Sequence, residues 1–183
     1  EDIVAGELIL PAYHRITPID LGALLSGGVN SVKVLKKPKV SILPTGTEII
    51  EPGTPMEIGK IIESNSRVFE GSVLQCGGEP VRLSPVADDY ALLLETVRKA
   101  AETSDMVIII AGSSAGTEDF TSRIVAELGE VYVHGIALKP GKPAILGKIG
   151  HAPVIGLPGY PVSSWVVFDT IVKPLLYTMQ HQR

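Results

Sequence analysis

Met106-Val107-Ile108-Ile109-Ile110-Ala111, followed by Gly112-Ser113-Ser114-Ala115-Gly116 and then Thr117-Glu118-Asp119-Phe120, is the stretch whose reading decides the fold. An unbroken apolar run rich in Ile and Val reads as a strand buried on both faces, as in a parallel sheet. It is too short to span a membrane. The small residues after it permit a tight turn with exposed N–H groups, and Thr117 to Asp119 read as the first turn of a helix. Strand, small-residue loop and helix N-terminus together form an anion site, and in an open α/β sheet such a loop lies where ligands bind. A plain tight connection between strand and helix uses the same residues.

Outward from that stretch, apolar runs and helical patterns alternate. Val40-Ser41-Ile42-Leu43 reads as a first core strand, with Pro44-Thr45-Gly46-Thr47-Glu48 at its carboxyl end. Glu48 there is either a metal or substrate contact or a solvated loop acid. A helix is expected from about Ser66 to Gln75, stopped by Gly77-Gly78, and Val81 to Val86 reads as the next strand. Asp88 or Asp89 caps a helix through Leu92, Leu93, Val97 and Ala100. Past the central loop, a helix runs to Leu128, and Val131-Tyr132-Val133 and Ile136-Ala137-Leu138 read as strands.

Two stiff loops follow. Lys139-Pro140-Gly141-Lys142-Pro143 sets two lysines on a rigid backbone, which suits either an oxyanion clamp or a basic surface turn. It lacks P-loop spacing. Ala144 to Lys148 and Pro153 to Leu157 read as short strands. Pro158-Gly159-Tyr160-Pro161-Val162-Ser163-Ser164 then leads into a helix whose Trp165, Phe168, Ile171 and Val172 form a core stripe, with Pro174 kinking or restarting it. From about residue 38 the order βαβαβα, then β, β, α, predicts an α/β fold: three αβα layers around a mainly parallel sheet. No G-x-G-x-x-G supports a dinucleotide fold.

Residues 1 to 37 read differently. Gly6 to Pro11 suggests a short strand; Thr17 as N-cap, Pro18 and Asp20 open a helix that Gly27-Gly28 closes. This unit cannot bury its own apolar face and is expected to be the end of a preceding domain, with the Lys33–Lys39 basic run as a solvated hinge. The chain opens Glu1-Asp2-Ile3-Val4, without an initiator Met or a basic leader region, and so reads as part of a longer, cytoplasmic protein.

Composition narrows the function. The 183 residues are 45% hydrophobic with a mean hydropathy of +0.29, enough for a sizeable core. A net charge of −4 gives no reason to expect nucleic acid or a membrane surface as partner. Cys76 is the single cysteine, which excludes an internal disulfide and a Cys-rich zinc site; the four histidines show no ligand spacing.

The T-G-T-E loop, the Gly112–Asp119 loop, K-P-G-K-P and G-L-P-G-Y-P-V-S, in this order and spacing, resemble the molybdopterin molybdenumtransferase (MoeA) family, which includes the gephyrin E domain. The resemblance covers nearly the whole chain. It implies that residues 38–183 form the MogA-like molybdopterin-binding domain and 1–37 the end of that family's preceding domain. The implied reaction inserts molybdate into adenylylated molybdopterin and releases AMP, assisted by Mg²⁺, in a homodimer whose site borrows residues from the second chain.

By the same resemblance Asp119, Lys139 and Lys142 are catalytic, and Glu48, Asp88 and Asp119 hold the metal. Thr45, Gly46, Glu48, Asp88, Gly112, Ser113, Ser114, Gly116, Pro158, Gly159, Pro161 and Ser163 contact substrate. Scattered acids at one sheet edge suit Mg²⁺, and lysines suit charge building on a phosphoryl group. The chain departs from the pattern at Ala111, in the whole loop from Ala111 to Gly116, at Thr47 for an Asp, and at Tyr160 for an Asn. These departures resemble a subgroup joined to a periplasmic-binding-protein-like region. Two further readings are a molybdopterin adenylyltransferase and a module that binds molybdopterin or molybdate without turnover.

Overall fold

Strand alternation builds the centre of this molecule. A computed structural model describes residues 3–111 and 117–182, with the side chains of 117–119 outside the described set. Strand β1 is Lys39–Pro44, β4 Glu79–Arg82, β5 Met106–Ile110, β6 Glu130–His134, β7 Ile145–Ile149 and β8 Ala152–Leu157. They form one six-stranded sheet in the order β4-β1-β5-β8-β7-β6. The pairs β1/β4, β1/β5 and β5/β8 are parallel, whereas β7 runs antiparallel to both β8 and β6.

Successive side chains of a strand point to opposite faces, so a strand buried on both faces must be apolar throughout. In β5, Met106, Ile108 and Ile110 enter one core cluster while Val107 and Ile109 enter the other. Helix α2 (Asn65–Gln75) covers the first face, together with α5 (Pro161–Val167), a π-helical turn (Phe168–Val172) and α6 (Lys173–Met179). Helices α3 (Tyr90–Thr103) and α4 (Thr117–Leu128) cover the second. The layers are therefore αβα, and the buried Ser41 hydroxyl in β1 is satisfied by Ser104 at 2.8 Å.

The helix after β1 packs on one face and the helix after β5 on the other. The chain thus changes winding direction between these neighbouring strands, and a crevice opens at their carboxyl ends.

Several sequence expectations change in detail. Gly6–Pro11 is not a strand: Glu7 N–H bonds Val4 O at 3.0 Å in a turn, and among the described residues no strand pairs with the segment. Ile136–Leu138 is not a strand either; Ile136 N–H closes onto Lys142 O at 2.8 Å, and its apolar side chains pack on the core from a loop. Strand β4 stops at Arg82, ahead of Ser84-Pro85, and Val86 is left with one isolated bridge to Thr45. Trp165 is not core but 43% exposed, stacked on the buried Phe168 at 6.0 Å. An unexpected pair, β2 (Ile49–Ile50) and β3 (Ile61–Ile62), forms a small arm beside the main sheet.

The N-terminal helix α1 (Pro18–Ser26) forms as the sequence expects. The Asp20 carboxylate accepts from Thr17 N–H at 2.7 Å, satisfying a donor that the first helical turn leaves over. Among the described residues, no helix is long and apolar enough to cross a membrane.

Candidate functional site

Three described loops meet the carboxyl edge of the parallel strands. The Thr45–Glu48 loop follows β1, Val86–Asp88 follows β4 and Pro158–Pro161 follows β8. Because β7 is antiparallel and Ile145 pairs with Gly156, the Lys139–Pro143 turn that precedes it arrives at the same edge. The topology therefore gathers, among the described residues, the segments around Thr45–Glu48, Asp88, Lys139–Pro143 and Pro158–Pro161 at one edge. Gly112, Ser113, Ser114 and Gly116 lie outside the described residues, and Asp119 is described only as backbone of the first turn of α4.

The first loop is held tightly. Thr45 is buried, and both its N–H and its hydroxyl donate to Ile110 O, at 2.9 and 3.0 Å, locking β1 to β5 at the crevice. Gly46 N–H donates to Val86 O at 3.0 Å. Gly46 has φ +133°, and a Cβ there would lie 2.9 Å from both Glu48 Oε2 and Ile49 Cγ1. Glycine is required by backbone and space alike, and the Glu48 carboxylate lies folded back over it.

The structure separates the two neighbouring aspartates. Asp89 is the N-cap of α3, accepting from Leu92 N–H at 3.0 Å. Asp88 instead faces Thr47: its Oδ2 accepts from Thr47 N–H at 3.3 Å and from the Thr47 hydroxyl at 3.4 Å. Its own N–H donates back to Thr47 Oγ1 at 3.2 Å. The hydroxyl at position 47 thus braces Asp88, where an aspartate would oppose it with like charge. Asp88 Oδ1 is buried and has no hydrogen-bond partner among the described residues.

The lysine turn contains a cis Lys139–Pro140 bond and Gly141 at φ +118°, where a Cβ would lie 2.8 Å from Val167 Cγ2. This close approach seats the turn against α5, the helix that begins at the Pro158–Pro161 loop. Lys139 and Lys142 are both exposed.

Between these loops is a cavity of about 140 Å³. Pro44, Ile49, Ile61, Ile62 and Ile110 give it apolar walls, and Glu63, Asn65, Gly159, Tyr160 and Pro161 also line it. Sequence reading missed three residues that shape it. Glu63 is 4% exposed and accepts from Ser66 N–H at 2.7 Å and Ser66 Oγ at 2.6 Å. Asn65 Nδ2–H donates to Gly159 O at 2.8 Å, tying α2 to the loop after β8. Ser164, fully buried, directs its hydroxyl to the carbonyls of Pro158 and Tyr160, the latter at 2.9 Å. Only the Glu63/Ser66 spacing of three carried a sequence signal, that of a side chain capping a helix start.

The arm bearing Ile61 and Ile62 is pinned by charge. Glu51 accepts from Arg82 at 2.8 Å and from Arg67 at 3.1 Å. The Arg82 hydrogen bond is the main cause holding the Glu51 carboxyl below its ordinary range, and the same bond raises Arg82. Lys60 Nζ reaches Thr47 O at 3.0 Å, joining the arm to the first loop. Of the expected ligand set Glu48, Asp88 and Asp119, the Asp119 side chain lies outside the described residues; among those described, no group of three or more His, Cys, Asp or Glu is placed to hold a metal.

A carboxyl-edge crevice, a small apolar cavity and two exposed lysines on one rigid turn are what the described residues bring together in an α/β fold of three layers. The chain belongs to the family described as probable molybdopterin binding domain, whose model matches residues 41–178. It is 35% identical over 183 residues to the molybdopterin molybdenumtransferase of Haemophilus influenzae, covering 100% of this chain and 45% of that protein. The crystal structure of the molybdopterin biosynthesis MoeA protein from Pyrococcus horikoshii superposes with a TM-score of 0.88 at 38% identity, over 97% of this chain and 44% of that one. The chain thus spans about half the length of the curated relatives it matches. The tungsten cofactor synthesizing protein MoaB from Pyrococcus furiosus shares the fold, with a TM-score of 0.59 at 17% identity over 82% of this chain and 99% of that one.

Proposed function

We propose that residues 38–183 are the molybdopterin-binding domain of a molybdenumtransferase acting in molybdenum cofactor biosynthesis, with residues 1–37 closing the preceding domain. The substrates are adenylylated molybdopterin and molybdate, and the product released is AMP. The observation that carries the reading is the convergence of the Thr45–Glu48, Asp88, Lys139–Pro143 and Pro158–Pro161 segments on one sheet edge, in a chain of the molybdopterin-binding family.

One donor present fits a hard cation: Asp88 keeps one buried carboxylate oxygen without a hydrogen-bond partner among the described residues, while Thr47 orients the other. Asp88, Glu48 and Asp119 are the residues proposed to hold Mg²⁺, an oxygen donor set of the kind that ion takes alongside phosphate oxygens and water. When bound, Mg²⁺ supplies charge neutralisation at the phosphoryl oxygens.

The chain's own groups do the rest. Lys139 and Lys142, fixed by the Gly141 approach to α5, hold phosphate or molybdate oxygens. Their cations favour charge that builds as the anhydride breaks and AMP leaves. Molybdate or water supplies the attacking oxygen, so no side-chain nucleophile is required. The Ser164 and Asn65 bonds keep the Pro158–Pro161 loop in one shape against the substrate. The working form is proposed to be a cytoplasmic homodimer.

AMP release from adenylylated molybdopterin, with Mg²⁺ and molybdate, tests the reading. Molybdate-dependent release should fall about 10²-fold in Lys142→Ala and in Asp119→Ala. Release that both variants leave unchanged overturns it. AMP transfer from ATP would favour the adenylyltransferase reading, and substrate binding without release a binding module.

A further inference from the structure

Asp88 and Asp119 belong to segments launched from different strands. Asp88 follows β4 and Asp119 follows β5, with β1 between those strands, so no strand pairing directly sets the spacing of the two segments. A contact between helices does so instead. Tyr90, two residues after Asp88, is the first residue of α3, and Phe120, the residue after Asp119, lies in the first turn of α4.

The two rings meet edge to face, with centroids 5.7 Å apart and planes at 76°. The Arg123 guanidinium carbon lies 5.0 Å from the centroid of the Tyr90 ring, and the Tyr90 hydroxyl donates to Glu127 Oε2 at 2.6 Å. Phe120, Arg123 and Glu127 are spaced by three and then four residues, which puts them in one row on the surface of α4. A single tyrosine thus grips two turns of α4 by three different interactions: a ring edge, a cation over its face and a charged acceptor for its hydroxyl. Both rings are half-buried against the core, whereas Arg123 and Glu127 are exposed. Exposed polar contacts add little to stability, but two of them closing on one ring fix where that ring sits.

We propose that Tyr90 is a positioning residue that sets the distance between Asp88 and the first turn of α4, where Asp119 stands, and so tunes how this edge holds a divalent cation. The inference rests on the proposed function for the role of those two acids; its own content is the latch between α3 and α4. Thr47 braces Asp88 from the β1 side, and Tyr90 fixes the side toward α4. Octahedral coordination of Mg²⁺ leaves little room for error in donor placement, so a helix start that is free to shift weakens binding.

The test titrates Mn²⁺, a paramagnetic substitute for Mg²⁺, into the 183-residue chain and reads the free ion by electron paramagnetic resonance, beside AMP release from adenylylated molybdopterin. Tyr90→Leu should weaken Mn²⁺ binding roughly tenfold, as loss of a residue behind the donors does. Tyr90→Phe, which keeps both ring contacts and loses only the Glu127 bond, should stay within about threefold. Arg123→Ala removes the cation from the ring at an exposed position, without touching the core, and should weaken binding about threefold. Val97→Ala trims the buried side of α3 away from the latch; it should lower the melting temperature and leave Mn²⁺ affinity unchanged. Affinity unchanged in both Tyr90→Leu and Arg123→Ala, or reduced in Tyr90→Leu no more than in Val97→Ala, overturns the positioning role. A wild-type chain that binds no Mn²⁺ also overturns it, and normal AMP release in that case spares the proposed function. Tyr90-dependent Mn²⁺ binding without AMP release supports the latch and counts against the transferase.

Discussion

Residues 3–37 and residues 38–182 handle apolar surface in opposite ways. In the sheet domain, β5 is buried from Met106 to Ile110, because parallel strands with helices on both faces leave no side of the strand in water. In the N-terminal segment, Leu8, Ile19, Leu25 and Val34 are all more than half exposed, and Leu24 is its one buried hydrophobic residue among those described. The segment is held by a local device, the Thr17–Asp20 cap, and by one long-range contact, the stacking of Tyr13 on His181 with ring centroids 4.4 Å apart. A groove of about 770 Å³ lies along it, reaching Gln180 and Gln182. Gln180 bonds Cys76 O at the end of α2, which places this groove toward the amino edge of the sheet, opposite the candidate site.

Substitutions can sharpen this contrast. The largest effect is expected from Ile108→Ala in the middle of β5, which removes a fully buried side chain and should cost about 2–5 kcal/mol in urea unfolding. A cost near zero there would mean the sheet core is not what stabilises the chain. Gly46→Ala should cost about 1–3 kcal/mol, from a φ that L residues rarely adopt and from contact with Glu48 and Ile49. It should also weaken substrate binding, because Glu48 must move.

Ser164→Ala comes next, at about 1–2 kcal/mol for two carbonyls deprived of a buried donor. Here binding should fall by more than the melting temperature suggests, because the loop loses its shape before the helix loses its packing. In the N-terminal segment, Ile19→Ala should stay within about 0.5 kcal/mol, as surface changes do.

The pH response separates the regions too. Asp20 is held down to about 2 from 3.8, first by the Thr17 backbone N–H, then by the Thr17 hydroxyl and His14. A depressed carboxyl adds stability that is complete above its unfolded value and lost as pH falls through the folded one. Amide exchange in α1 should therefore quicken between pH 4 and about 2 while β5 amides stay protected. Simultaneous exposure of both would show one cooperative unit.

Much of this was legible in the residues. An apolar run buried on both faces cannot be mistaken for a half-exposed strand, and Thr17-Pro18, Asp88-Asp89 and Gly129 mark helix ends by local chemistry. The loops at strand ends were legible for the same reason: glycine and proline restrict backbone regardless of surroundings. Ile136–Leu138 misled because a loop packed on a core has the composition of a strand, and Trp165 because helical spacing marks a stripe without fixing how wide it is.

The sequence by itself determined the layers, the core strands β1, β5 and β8 and the helices between them, since these rest on periodicity and local backbone preference. Tertiary structure alone decided which side chains act together. That Thr47 braces Asp88, and that Asn65 ties α2 to the loop bearing Tyr160, depend on side chains from separate elements meeting at distances of a few ångströms. Such meetings are set by the packing of helices on a twisted sheet, and no local pattern in the chain encodes them.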